Sequence, residues 1–312
     1  MASATPDFQL DAGLREGEGK RALITGLRGF TGHYVAQELA QAGYRVFGTA
    51  MPGGEAAPDV LPVDLCDRAA VGAMVAQVQP DVVVHLAGIA FVAHSDVDQI
   101  YRVNVVGTRN LLEALAGAAH KPSSVLLASS ANIYGNASMP VITEDVAAAP
   151  ANDYAVSKLA MEYMARLWMD KLPIVIARPF NYTGIGQSDN FLLPKIVSHF
   201  RRKEPRIELG NLTIARDFSD VRMVARSYRK LLAAAPAGEA FNICSARSNS
   251  LGQVIDMVSE IAGYRIKVDV NPAFVRANDV LTLTGSNDKL AAAIGPIAPP
   301  PLFDTLRWMY EG

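Results

Sequence analysis

Tyr154 and Lys158, in the run Tyr154-Ala-Val-Ser-Lys158, stand four residues apart. On a helix that spacing puts both side chains on one face. An ammonium beside a phenol favours the phenolate and lowers a tyrosine pKa from its ordinary value of about 10. The pair therefore predicts a proton donor or acceptor that works near neutral pH. Any exposed helix can carry such a pair by chance, so alone it says little. Upstream, however, Thr25-Gly26-Leu27-Arg28-Gly29-Phe30-Thr31-Gly32 places three glycines at even spacing, and the two features together point to redox chemistry on a dinucleotide.

The glycines follow the short apolar run Lys20-Arg-Ala-Leu-Ile-Thr25 and precede a helical pattern. Strand, glycine turn and helix in that order let backbone amides at a helix N-terminus approach a pyrophosphate. Gly26, Gly29 and Gly32, with Phe30 and Thr31 between them, are the candidate cradle; a tight turn with no ligand is the plain alternative. NAD sites usually place a carboxylate after the second strand to hold the ribose diol. Here that region reads Gly48-Thr49-Ala50-Met51-Pro52, without an acid. Arg28 could pair with a 2′-phosphate in a bidentate way, so NADP(H) is expected ahead of NAD(H). Asp64 is a candidate acceptor for the adenine amine or else a helix cap. Leu65 and the strand end Leu86-Ala87-Gly88 complete the expected coenzyme contacts.

The elements that must position these groups alternate. Residues 20–25 read as a buried first strand, 31–42 as a helix ended by Gly43, and 44–48 and 60–63 as strands. A helix over 68–79 leads to segment 81–87, apolar enough to be buried on both faces like a central parallel strand. Helix 98–119, strand 124–129, helix 153–171 and strand 174–178 continue the rhythm. Such alternation predicts right-handed βαβ units, an α/β fold with a doubly wound parallel sheet. After Pro179 the rhythm loosens: loop 181–189, helix 191–202, strand 206–209, helices 221–234 and 252–261, strand 267–270 and a final helix 302–310. The expected organisation is a loose extension over 1–19, a dinucleotide-binding domain over 20–179, and a mainly substrate-binding lobe over 180–312 with segments that can return to the main sheet.

Composition narrows the classes. The 312 residues are half hydrophobic and 19% charged, with a formal net charge of -2, an ordinary globular balance. No basic block suggests nucleic acid, and no basic amphipathic stretch suggests a membrane surface. Cys66 and Cys244 are far apart, fit no metal-ligand pattern, and suit a reducing cytoplasm. No apolar run reaches the ~18 residues of a membrane span, and residues 1–19 lack the apolar stretch of a signal peptide.

Six motifs fall in order: Thr25-Gly-x-x-Gly29-Phe-x-Gly32, His85-Leu-Ala-Gly88, Asn104-Val-Val-Gly-Thr108, Ala128-Ser-Ser130, Tyr154-x-x-x-Lys158 and Arg178-Pro-Phe-Asn181. The set, across residues 20–295, resembles the extended short-chain dehydrogenases/reductases that act on nucleotide sugars. The resemblance implies a Rossmann domain with a smaller C-terminal substrate lobe. It implies that Tyr154 is the acid/base at the sugar hydroxyl or ketone, that Lys158 holds the nicotinamide ribose and depresses the tyrosine pKa, and that Ser130 hydrogen-bonds the reacting oxygen. Asn104 is expected to fix backbone rather than to catalyse. A homodimer through helices 98–119 and 153–171 is also implied, although burial within one subunit would explain their alanine and leucine equally well.

The segment after Ser130 separates activities within that family. Nucleotide-sugar 4,6-dehydratases resemble Thr-x-Glu there; this chain has Ser130-Ala131-Asn132. Asparagine cannot take up a proton as a carboxylate does, so elimination loses its base, whereas ketone reduction needs only a hydride and one proton. Leu209-Gly210-Asn211-Leu212, Ala215-Arg216-Asp217-Phe218 and Arg276-x-x-Asp279 are similar to the GDP-mannose dehydratase and GDP-4-keto-6-deoxymannose reductase branch. The likeness implies a GDP-linked sugar held by Arg216 and Arg276 with Lys195 helping, Asn181 at the sugar-phosphate, and Asn190 and Asp279 in the same pocket. The expectation is NAD(P)H-dependent reduction of a GDP-4-keto-6-deoxyhexose, with a tightly bound NAD in a 4-epimerase as the alternative and dehydratase activity behind it. A non-enzymatic dinucleotide sensor is the remote one. Ile89-Ala90-Phe91 departs from relatives that carry a polar residue there, which leaves the sugar's identity open.

Overall fold

The computed structural model describes residues 15–53, 57–90, 96–137, 139–274 and 281–312. The first part alternates β1 (Arg21–Thr25), α1 (Phe30–Gln41), β2 (Arg45–Ala50), β3 (Val60–Pro62), α2 (Arg68–Val78), β4 (Val82–His85), α3 (Val97–Tyr101), α4 (Thr108–Gly117), β5 (Ser124–Ala128), α5 (Asp153–Arg166) and β6 (Ile174–Pro179). The remainder runs β7 (Asn181–Thr183), α6 (Leu192–Arg201), β8 (Arg206–Leu209), β9 (Ala215–Asp220), α7 (Val221–Ala234), β10 (Ala240–Ile243), β11 (Ser248–Ser250), α8 (Leu251–Ala262), β12 (Lys267–Val270), β13 (Thr282–Leu283), α9 (Asp288–Ile294) and α10 (Leu302–Glu311).

Seven strands form one parallel sheet in the order β10-β6-β5-β4-β1-β2-β3. The chain reverses its direction of travel across the sheet between β1 and β4, which opens a crevice at the carboxyl ends of those strands. Successive strand residues face opposite layers, as the period of two requires. Ile24, Val84, Leu126 and Ala177 pack with Val35, Leu39, Tyr228 and Leu231 of α1 and α7. Leu23, Val83, Leu127 and Ile176 pack with Met74, Leu111, Leu115 and Met161 of α2, α4 and α5. This is the doubly wound Rossmann-like sheet that the alternation predicts.

A third core lies between α6, α8 and α10, built on Ile196, Phe200, Val254, Val258 and Leu306. Around it β9 pairs with β11, β13 and β7, and β12 pairs with β8. One edge strand of the main sheet, β10, comes from this second half of the chain, and α7 lies against α1 beneath the same sheet.

Several segments differ from the sequence reading. The expected helix 98–119 is α3, a π-helical turn over Arg102–Gly107, and α4. The expected loop 181–189 begins as β7. Strands β9 and β10 have no apolar alternation to announce them, because they bury polar side chains; Ser219 Oγ of β9 is buried without a hydrogen-bond partner, whereas others are paired. Asp217 accepts hydrogen bonds from Ser245 N and Oγ, and Asn242 accepts from Tyr134 Oη and donates to Ile142 O.

Candidate active site

The floor of the crevice is the turn between β1 and α1. Gly26 has φ +73°, and a Cβ there would lie 3.0 Å from the Ala87 amide nitrogen. A Cβ on Gly32 would collide with the carbonyl oxygens of Gly26 and Leu27. Only glycine permits this approach of helix to strand. The N-cap of α1, Gly29, offers no side-chain oxygen, so the first-turn amides at Phe30, Thr31 and Gly32 are free to bind an anion at the positive end of the helix dipole. That cradle fits a dinucleotide pyrophosphate. Arg28 is exposed at its rim and forms no hydrogen bond or ion pair among the described residues. Asp64 Oδ1 accepts the Cys66 amide at 2.8 Å, while Asp67 caps α2. Leu65 is buried, its carbonyl accepting from Asn110 Nδ2 at 2.9 Å.

A chain of buried hydrogen bonds fixes the neighbouring wall. The Ala87 amide donates to Thr25 Oγ1 at 3.2 Å, and Thr25 Oγ1 lies 2.7 Å from His85 Nδ1. His85 Nε2 is 2.7 Å from Thr108 Oγ1, whose single hydrogen goes to Asn104 O at 2.7 Å. His85 must then donate from Nε2 and accept at Nδ1. Burial pushes its pKa down to about 3, so the ring stays neutral. Asn104, carried by the π-helical turn, accepts from Ile89 N at 2.8 Å and donates to Ile89 O and Ser157 Oγ. Leu86, Ala87 and Gly88 are held in this frame, and a Cβ on Gly88 would meet Asn104 Oδ1 at 2.9 Å and Lys158 Nζ at 3.4 Å.

The candidate reactive groups stand on α5, which Asn152 caps by accepting the Ala155 amide at 2.9 Å. Tyr154, Lys158 and Glu162 follow at intervals of four and are all buried. Lys158 Nζ donates to Ala128 O at 2.8 Å. Burial pulls the Lys158 pKa down to about 8, with the Glu162 carboxylate opposing. Lys158 is not among the groups that move the Tyr154 pKa here. Burial pushes the Tyr154 phenol up to about 12, and the group that works the other way is Ser130, hydrogen-bonded to it. Burial of this kind favours the neutral phenol.

Ser129 and Ser130 point to opposite sides of the strand end. Ser129 Oγ donates to Glu162 Oε1 at 2.5 Å. Ser130 Oγ accepts from both the amide and the side-chain Nδ2 of Asn132, each at 3.1 Å. Ser130 is thus a turn cap that also hydrogen-bonds Tyr154. Behind it, Arg178 grips Glu162 through Nε at 3.0 Å and Nη2 at 2.7 Å, and donates from Nη1 to Tyr134 Oη at 2.9 Å.

Residues 22–244 match the NAD dependent epimerase/dehydratase family. The chain belongs to that family. Family members similar to it include a GDP-6-deoxy-D-talose 4-dehydrogenase of Aggregatibacter actinomycetemcomitans, 32% identical over 88% of this chain and 91% of its own. A GDP-6-deoxy-D-mannose reductase of Pseudomonas aeruginosa is also 32% identical, with the same two coverages. A solved protein of Burkholderia cenocepacia J2315, described provisionally as an epimerase, is 57% identical with TM-score 0.90 and covers 94% of this chain and 98% of its own. RMD from Pseudomonas aeruginosa, solved with NADPH, is 29% identical with TM-score 0.83 over 94% and 98%. The chain is an extended short-chain dehydrogenase/reductase, an NAD(P)-dependent oxidoreductase.

Around this family site, the second half of the chain places the expected substrate contacts on several elements. Asn181 opens β7 and donates to Asp217 O at 3.3 Å. Arg216, on β9, donates to Ala215 O at 2.9 Å and stands opposite Asn249 of β11. Lys195, on α6, donates to Glu208 O at 3.1 Å and lies 5.1 Å from the centre of the Phe274 ring. Asn190 is exposed just before α6. Arg276, Asp279 and Phe91 lie outside the described residues. Among the described residues no group of three or more His, Cys, Asp or Glu side chains is placed to hold a metal, and no helix is long and apolar enough to cross a membrane.

Sequence reasoning missed four contributors. Glu162 continues the Tyr154–Lys158 face by one more turn, a spacing that could have flagged it. His85 and Thr108 sat within quoted motifs without a role. Tyr182 had no signal: its phenol is 2.8 Å from Thr31 Oγ1 and its ring stacks on Phe30 at 6.0 Å.

Proposed function

We propose that this protein reduces the 4-keto group of a GDP-4-keto-6-deoxyhexose, with NADPH as the favoured coenzyme and GDP-D-rhamnose as the leading product. The observation that carries the reading is Tyr154 hydrogen-bonded to Ser130, with an amide at Asn132 where a dehydratase would need a carboxylate. Gly26, Gly29 and Gly32 with the first turn of α1 would hold the coenzyme pyrophosphate, Lys158 its nicotinamide ribose, and Arg28 a 2′-phosphate. When bound, the dihydronicotinamide supplies the hydride for sugar C4. Tyr154 gives its proton to the nascent C4 alkoxide, and Ser130 donates a hydrogen bond to the same oxygen. Arg216, Arg276 and Lys195 would bring converging cations to the diphosphate, with Asn181, Asn190 and Asp279 lining the nucleotide end.

The relatives named for GDP-6-deoxy-D-mannose and GDP-6-deoxy-D-talose support the substrate class and differ in C4 configuration. The talose-configured product is accordingly the second reading. The NADPH-bound neighbour supports the coenzyme choice. We also propose a homodimer through α4 and α5.

Incubation with GDP-4-keto-6-deoxymannose and NADPH should consume the reduced-nicotinamide absorbance, and NMR of the product should assign C4. Tyr154→Phe should lower turnover by at least 100-fold while coenzyme still binds. Retained turnover in that variant refutes the assignment. No consumption by the wild type, with NAD released on denaturation, would mark a 4-epimerase instead.

A further inference from the structure

Asn132 takes part in the site through hydrogen-bond arithmetic rather than by proton transfer. A serine hydroxyl has one hydrogen to give and two lone pairs to fill. Both lone pairs of Ser130 Oγ are occupied by a single residue, since Asn132 donates from its backbone amide and from its side-chain amide, each at 3.1 Å. The turn Ala131–Tyr134, with Ser130 as its N-cap, fixes the first of these donors; the second needs an amide at the tip of residue 132. With both acceptor sites filled from below, the hydroxyl hydrogen has only one way to point, toward the Tyr154 oxygen and the space beside it. Asn132 itself is exposed.

We infer that Asn132 is the positioning residue that locks Ser130 as an obligate hydrogen-bond donor to the reacting carbonyl oxygen. A carboxylate at 132 would do the opposite. It has no hydrogen to give, would accept the Ser130 hydrogen, and would turn the hydroxyl away from the carbonyl. The residue thus selects reduction positively, beyond failing to supply an elimination base. The inference rests on the reductase reading above.

The test compares Asn132→Ala, Asn132→Asp and wild type, each also in a Ser130→Ala background. The readout is steady-state reduction of GDP-4-keto-6-deoxymannose by NADPH, with melting curves to confirm folding. Removing one oxyanion donor costs about 100- to 1000-fold in kcat. Asn132→Asp should lose about 100-fold in kcat, with a smaller change in KM. Asn132→Ala, which frees one lone pair without capturing the hydrogen, should lose about ten-fold or less. In the Ser130→Ala background all three residues at 132 should give the same kcat. An aspartate penalty that persists without the serine would be simple charge repulsion and overturns the inference, as does equal kcat for all three residues with Ser130 present. Wild-type protein that does not reduce the substrate removes the reductase reading, and this inference with it; turnover by the wild type separates the two failures.

Discussion

At the scale of single residues, Lys158 is an ammonium held inside the protein at a cost. Its folded pKa is lowered from 10.5 to about 8, chiefly by desolvation. The sign follows from linkage. Below pH 8 both folded and unfolded chains carry the charge, and the folded state bears the whole burial penalty. Between pH 8 and 10.5 the unfolded chain binds more protons than the folded one, so the penalty is relieved as pH rises. Lys158→Met should therefore be more stable than wild type at pH 7. The gain is on the order of 1–2 kcal/mol once the lost hydrogen bond to Ala128 is set against the relieved charge. That gain should shrink steadily from pH 8 to 10.5, while turnover is lost at every pH. Denaturant melts across this range check it; a destabilised variant at pH 7 would show that the ammonium contributes more to the fold than its burial costs.

At the scale of elements, the first half of the chain was legible because its strands are apolar on both faces and its helices end at glycines or begin at caps. The strand end at His85, the cradle at Gly26–Gly32 and the helix bearing Tyr154 all stand where periodicity and turn chemistry place them. In the second half α6, β8, α7, α8, β12 and α10 were legible too, whereas β7, β9, β10, β11, β13 and α9 were not, for a physical reason. In β9, Asp217, Ser219 and Asp220 are buried, and a strand whose interior positions are polar has no alternation to read. The cross-chain bond between Thr31 and Tyr182 was equally invisible, since 151 residues separate its partners. It ties the first turn of α1 to β7, and thereby the coenzyme cradle to the strand that carries Asn181. Tyr182→Phe should weaken NADPH binding about three- to ten-fold, the value of one hydrogen bond. Thr31→Val added to it should cost little more, because both changes break the same bond. Fluorescence titration with coenzyme measures this without any sugar substrate, and additive losses would uncouple the two elements.

At the scale of the whole molecule, α5 has two faces with different duties. The inner one buries Tyr154, Lys158 and Glu162; the outer one leaves Val156 38%, Tyr163 57% and Leu167 74% exposed. Those three lie at intervals of seven and four, one continuous helical stripe. Val106, 45% exposed on the π-helical turn that packs beside α5, extends it. An apolar stripe of this length on a chain with net charge -2 has little to keep it in water. A second copy presenting the same stripe about a two-fold axis would cover it and would brace the catalytic helix from behind. Leu167→Asp puts a charge at the most exposed point of the stripe and, by the two-fold, into the partner's surface as well. Light scattering coupled to size exclusion should show the wild type at twice the chain mass and Leu167→Asp at the chain mass. A monomeric wild type would leave the stripe's exposure to some other cause. A dimeric variant would move the interface off α5.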